Sequence, residues 1–188
     1  MPIARQRRLH RSFFARDAIE LARDLIGKTI VRRLEDGTVR RARIVETEAY
    51  IGEHDLACHA AKGRTNRTEV MFGEGGHAYV YFIYGMHWML NIVASKPGNA
   101  QAVLIRAAEP LDGWDVNLTG PGRLAKGFSF TKADNGLDLT GPSTYLIDNG
   151  SPPPRIVKSK RIGVEYAKHW KHRLLRFHAA GSKAVSKR

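Results

Sequence analysis

The sequence predicts a single domain of mixed α/β class, built from hairpin-linked strands with a few short helices. Three observations predict it. The chain has 188 residues and no linker-like stretch, which favours one hydrophobic core. Runs rich in β-branched and aromatic residues are joined at tight-turn signals, Asp36-Gly37 and Gly85-Met86. Helical spacing is confined to short stretches.

Taken in order, Met1 to Arg11 is a basic, loosely ordered arm without the apolar segment of a secretory signal. The folded domain is expected over residues 12–182, with a basic tail at 183–188. Asp17 can cap a helix whose apolar positions are Ala18, Leu21, Ala22 and Leu25, and Gly27 stops it. Thr29 to Leu34 reads as a strand and Thr38 to Glu48 as its hairpin partner. Residues 52–76 carry no sustained period and read as a long loop. The aromatic run from Ala78 to Val93 reads as two strands, with Gly85 leading a type II′ turn. Gln101 to Ala107 is a further strand. Thr119 to Lys126 is a loop feeding a short helix, with Pro121 in its first turn.

Composition points to a polyanionic partner. Thirty-one Lys and Arg face eighteen Asp and Glu, a net charge of +13 that costs self-repulsion unless a polyanion offsets it. Nucleic acid fits best, since no apolar span or basic amphipathic helix supports a membrane. From Arg155 onward eleven Lys or Arg face Glu165 alone, a density that suits a solvated, phosphate-contacting face. Cys58 is the only cysteine, so an intrachain disulfide and a cysteine-built zinc cluster are both excluded. A reducing interior, cytoplasmic and nucleoid-associated or nuclear, follows as the expected location.

The stretch with chemical promise is Arg43-Ile44-Val45-Glu46-Thr47-Glu48-Ala49-Tyr50. Its alternation puts Ala42, Ile44, Glu46 and Glu48 on one face, so two carboxylates end an apolar face at the rim of a core. Such a rim can desolvate an acid and make it useful. The same pattern also describes a solvated strand end paired with arginines.

This stretch, His59, Val70-Met71-Phe72-Gly73 and Tyr79-Val80-Tyr81-Phe82-Ile83-Tyr84-Gly85-Met86-His87 together resemble the alkyladenine (3-methyladenine) DNA glycosylase family. Leu104 to Pro110 and Gly120-Pro121-Gly122-Arg123-Leu124 continue the match in register. The resemblance implies one domain around a curved antiparallel sheet, with a protruding β-hairpin and peripheral helices. It implies a cofactor-free, metal-free, monomeric enzyme that flips alkylated purines out of duplex DNA and hydrolyses the glycosidic bond, leaving an abasic site. By motif position, Glu48 resembles the water-activating carboxylate. Tyr50, His59 and Tyr81 resemble the walls around the extruded base, and Tyr84 the wedge that fills the gap. Asn91 resembles the residue that obstructs the 2-amino group of guanine, and Arg106 a pocket-lining or water-site residue. Arg64, Arg67, Arg123 and Lys126 are the candidate phosphate contacts.

Two stretches depart from the family pattern: Thr65-Asn66-Arg67-Thr68, where the fourth residue is expected to be Asn, and Ala125-Lys126-Gly127-Phe128 after Leu124. Glu46 is left as a supporting residue. The competing expectations are a non-catalytic basic nucleic-acid-binding domain and a nuclease; the latter would want a cluster of metal-binding acids.

Overall fold

The computed structural model describes residues 6–187. Among them, nine strands form one open antiparallel sheet. They are β1 (Arg7–Arg8), β2 (Thr29–Arg33), β3 (Val39–Tyr50), β4 (Ala78–Ile83), β5 (His87–Ala94), β6 (Gln101–Pro110), β7 (Thr144–Asp148), β8 (Ile156–Ser159) and β9 (Arg176–Ala179). Three short helices, α1 (Arg11–Phe14), α2 (Ala18–Asp24) and α3 (Pro121–Gly127), complete a mixed α/β domain. Asp17 caps α2 by accepting from the Ile19 N–H, and Gly27, at φ +90°, follows its end.

The spatial order is β1-β7-β2-β3-β6-β5-β4, and β9 joins β3 while β8 joins β9. β3 is the longest strand, and its length forks the sheet. Along one edge it pairs with β2 over residues 39–43 and then with β9 over Glu46–Glu48; along the other it pairs with β6. Pairing with β6 is irregular between Ile44 and Thr47, where β3 changes partner. The alternation expected of β3 is interrupted there. Ala42, Ile44 and Val45 all join the main core, and the Thr47 hydroxyl donates to the Ala22 carbonyl of α2. Glu46 and Glu48 point the other way. The carboxylates therefore occupy the opposite side of the sheet from α2 and are fully buried, where the sequence suggested the rim of one apolar face.

Beyond that point the period of two is regular across four strands. Ala49, Ala78, Val80, Leu90, Ile92, Val103 and Ile105 enter the main core. Their alternate neighbours Tyr50, Tyr79, Tyr81, Met89, Asn91, Ala102, Leu104 and Arg106 line the opposite face. Each strand thus supplies core with one set of residues and a concave surface with the other.

Several local expectations change. The hairpin between β4 and β5 turns through Tyr84-Gly85, at φ +54° and +67°, with the Met86 N–H on the Ile83 carbonyl. Two positive φ values belong to a type I′ turn, so Tyr84 sits within the turn and Gly85 is its second central residue. The N-terminal arm is, from Arg7, an edge strand on β7, and Leu9 is buried; residues 1–5 of that arm lie outside the described residues. The basic C-terminal run is not uniformly solvated, because Arg161 and Arg176 are buried in ion pairs. Residues 183–187 are also part of the fold: Ala184 packs on the core and Ser186 bonds Glu46. The long loop contains two short 3-10 turns, His59–Lys62 and Glu69–Phe72.

Gly75 shows how closely α1 is held. A Cβ there would lie 2.7 Å from the Phe14 carbonyl oxygen and 2.9 Å from that of Ser95, two residues already tied by a bond from the Ser95 N–H to the Phe14 carbonyl. Gly75→Ala is expected to lower stability by about 1–3 kcal/mol, the usual cost of overpacking; urea denaturation measures it.

Candidate active site

The register of four strands fixes the floor of the site. Tyr79 of β4 opposes Asn91 of β5, Asn91 opposes Leu104 of β6, and Leu104 opposes Glu48 of β3. Two residues along, Tyr50 opposes Ala102, whose small side chain leaves room above the sheet. β3 and β4 are separated by two strands, so their backbones stand about 14 Å apart. Large rings leaning in from both sides narrow that gap to a cavity of about 280 Å³, at the small end of ligand sites.

The cavity wall is aromatic. His59 meets Tyr81 edge-on, ring centroids 4.5 Å apart and planes at 71°, and its Nδ1 shares a 2.9 Å hydrogen bond with the Tyr79 hydroxyl. Burial, followed by the charges of Arg67 and Lys62, pushes the His59 pKa down to about 4, so the ring is neutral at physiological pH. Tyr50 stands on the β3 side, with the Arg161 guanidinium 4.8 Å from its ring centroid. Burial and the adjacent Glu48 push its phenol well above the ordinary value, which keeps the hydroxyl proton in place. Burial likewise pushes the Cys58 thiol, also in the lining, up to about 11; it is no thiolate nucleophile at neutral pH.

Glu48 lies one layer beneath this surface. Its Oε2 accepts from the Tyr50 hydroxyl at 2.9 Å, and its Oε1 accepts from the Ile162 N–H at 2.8 Å and faces Arg106 Nη1 at 3.3 Å. All three partners line the cavity. The carboxylate is thus aimed and held from three directions directly below a hollow. Glu46, two residues back, is occupied differently. It takes Arg106 Nε at 3.1 Å, Arg176 Nη1 at 2.9 Å and the Ser186 N–H at 2.6 Å. Burial pushes its carboxyl up, but Ser186, Arg176 and Arg106 together outweigh that and hold it below the usual carboxylate range.

At the mouth the β4–β5 hairpin carries Tyr84, 74% exposed, with Met86 and Phe82 also exposed. A bulky residue at positive φ is a strained arrangement that a fold keeps only where its surroundings over-determine it. α3 packs at the hairpin base: Pro121 lines the cavity, and a Cβ on Gly122 would come within 2.9 Å of His87 Cγ.

The pattern of methylpurine-DNA glycosylases matches residues 12–183. A protein of Methanocella arvoryzae is 48% identical over 193 residues, covering 96% of each chain. One from Myxococcus xanthus is 50% identical over 184 residues, covering 95% of this chain and 93% of its own. One from Legionella pneumophila (strain Corby) is 46% identical over 183 residues, covering 96% and 99%. Each of the three is named "Putative 3-methyladenine DNA glycosylase". The chain belongs to the methylpurine-DNA glycosylase family. The enzyme class is accordingly that of a hydrolytic DNA N-glycosylase.

Of the residues singled out on sequence grounds, Tyr50, His59, Tyr81, Tyr84, Asn91 and Arg106 all line this cavity, and Glu48 lies beneath it. Asn91 is held by its Nδ2 donating to the Tyr79 carbonyl at 3.2 Å. The candidate phosphate contacts are all exposed but differ in state. Arg64 forms a two-pronged pair with Glu69, Arg67 lies 5.3 Å from the Tyr81 ring centroid, and Arg123 bonds Thr119. Lys126 is one turn further along α3. The departures from the family pattern pack well. Thr68 donates to the Gly63 carbonyl and accepts from the Thr65 N–H, and Phe128 is buried against Trp114.

Sequence reasoning missed the Arg161–Tyr166 side of the cavity. Arg161 and Asp55 are fully buried and doubly bonded at 2.5 and 2.8 Å, and Arg161 also donates to the Ala49 carbonyl. This pair clamps two loops to the end of β3 and delivers the Ile162 N–H to Glu48. Tyr166, 68% exposed, closes the mouth with its hydroxyl on the Ala57 carbonyl. Nothing in spacing or composition signals either loop.

The depressed His59 pKa has a consequence for stability. The unfolded chain binds a proton at His59 near pH 6.5 and the folded chain near pH 4, so stability is lost as pH falls through that window. His59→Gln is expected to lose less stability than the parent between pH 6.5 and 4, as read from denaturation midpoints at each pH.

Proposed function

We propose that this enzyme extrudes alkylated purines from duplex DNA into the cavity and cleaves the N-glycosidic bond with water activated by Glu48. One observation carries the reading: a carboxylate fixed by three donors immediately beneath an aromatic-walled hollow sized for a single base. A base within a duplex cannot reach such a hollow, so its nucleotide must leave the stack at a cost of a few kcal/mol. Tyr84, on a projecting turn, enters the vacated position and offsets part of that cost. Tyr50, His59 and Tyr81 then stack on the extruded base, worth on the order of 1–3 kcal/mol by analogy with single-strand binders. Purines methylated at N3 or N7 are cationic and gain the added attraction of electron-rich rings. Neutral His59 suits this task, because a protonated ring would repel the same base.

Cleavage builds oxocarbenium-like charge on the sugar, which a carboxylate stabilises while orienting water. Cationic bases depart without a proton. Hypoxanthine and ethenoadenine are neutral, require a donor, and are cleaved more slowly. Asn91 obstructs the 2-amino group of normal guanine, and Arg106 keeps Glu48 aligned. Arg64, Arg67, Arg123 and Lys126 meet phosphates flanking the lesion; Arg64 must first leave Glu69, an exposed pair that costs little to break. The enzyme acts as a monomer on chromosomal DNA.

Duplex DNA carrying methylated purines tests the reading. The parent is expected to release the modified bases and leave strands intact until alkali is added. Glu48→Gln should bind the lesion yet excise at least ~100-fold more slowly, the loss typical of a removed base catalyst. Near-parental excision by that variant would falsify the assignment.

Tyr84→Ala separates wedge from packing. Being largely exposed, the ring adds little to the fold, so the melting temperature should hold while lesion-duplex affinity and excision both fall. An unfolded Tyr84→Ala would make the ring a packing residue.

A further inference from the structure

All three nitrogens of the Arg106 guanidinium have a partner. Nε lies 3.1 Å from Glu46 Oε1, Nη1 lies 3.3 Å from Glu48 Oε1, and Nη2 lies 3.4 Å from Ser186 Oγ. The tightest of the three is the bond to Glu46, so Glu46 sets where the guanidinium sits. Glu46 is in turn fixed by Ser186, whose N–H donates to Oε2 at 2.6 Å and whose hydroxyl donates to Oε1 at 3.0 Å. The segment carrying Ser186 is anchored on both sides. Ser182 Oγ donates to Glu109 Oε1 at 2.6 Å, and the Lys187 carbonyl accepts from Arg176 Nη1 at 2.8 Å. Neither Glu46 nor Ser186 lines the cavity, so neither can touch a base seated there.

We propose that Glu46 and Ser186 are positioning residues for excision: segment 182–187 closes over Glu46, and Glu46 holds Arg106 by Nε so that Nη1 is left for Glu48. This rests on the assignment of Glu48 as the water-activating carboxylate. Without the Ser186 hydroxyl, Glu46 keeps Arg176, Arg106 Nε and one main-chain donor, but the hydroxyl bridge from Glu46 Oε1 to Arg106 Nη2 is lost and the guanidinium is held through Nε alone on that side. The guanidinium then gains freedom to swing, and its hold on Glu48 loosens. Small misplacement of a catalytic group is costly to rate and nearly invisible to binding.

The experiment compares single-turnover excision and lesion-duplex Kd for Ser186→Ala, Ser186→Thr and Glu46→Gln in the full chain, with Glu48→Gln as reference. Ser186→Ala retains the main-chain bond and is the variant expected to fold most readily. It should excise about 10-fold more slowly with Kd changed by less than about twofold, and Ser186→Thr, which restores a hydroxyl, should recover most of the rate. Glu46→Gln, if folded, should be slower than Ser186→Ala. Parental excision by Ser186→Ala overturns the proposal, as does a Thr variant no faster than the Ala variant, or a Kd that weakens in step with rate. If Glu48→Gln also excises normally, the fault lies with the assignment of Glu48. If Glu48→Gln is inactive and Ser186→Ala is not, only the positioning role fails.

Discussion

Two carboxylates and two guanidiniums, Glu46, Glu48, Arg106 and Arg176, are buried together on one face of the sheet, and the site depends on their balance. Each charge alone would cost several kcal/mol to remove from water, and mutual attraction repays this only when geometry is good and the remaining lone pairs are filled. The fork in the sheet supplies that geometry. β3 brings both acids, β6 brings Arg106 and β9 brings Arg176, and β6 and β9 flank β3 on its two edges only because β3 outlasts β2. A shorter β3 would leave the acids without partners and the cavity without a floor.

The same arrangement separates tasks between two similar residues. Of the partners of Glu46 only Arg106 lines the hollow, whereas every group that holds Glu48 does. Their spacing on the strand is only two residues, about 7 Å of rise. What distinguishes them is supplied by distant segments: residues 182–187 for one, and the Arg161–Ile162 loop for the other.

How far the sequence reveals this follows from the range of each interaction. The Asp17 cap, the turn at Asp36-Gly37 and the paired strands of the aromatic hairpin are set by neighbours in the chain and were legible. The place of Tyr84 next to the hairpin turn was legible too, although the type of turn was not. The aromatic wall and Glu48 were reached through motif resemblance rather than periodicity. The loops were not legible. Arg161 meets Asp55 across 106 residues, Ile162 meets Glu48 across 114, and Ser186 meets Glu46 across 140. No local pattern encodes such encounters, and the basic composition hid them: the arginines that matter structurally sit in a run that reads as a solvated face. The fork in β3 was likewise invisible, since it requires knowing that β9 returns to the strand.

Alternation on β3 to β6 has a further consequence, for how such a chain can change over generations. The core and the cavity are interleaved letter by letter in the same strands, with Leu90 and Ile92 facing one way and Met89 and Asn91 the other. Point substitutions can therefore reshape the hollow while leaving the core intact. Inserting or deleting one residue within β5 or β6 cannot, because everything beyond the change would exchange faces, burying asparagine and arginine among aliphatics and turning aliphatics into the site. Changes of length are tolerated better in the connecting loops than within these strands. The shape of the hollow is accessible to single-letter changes on alternate positions of these strands.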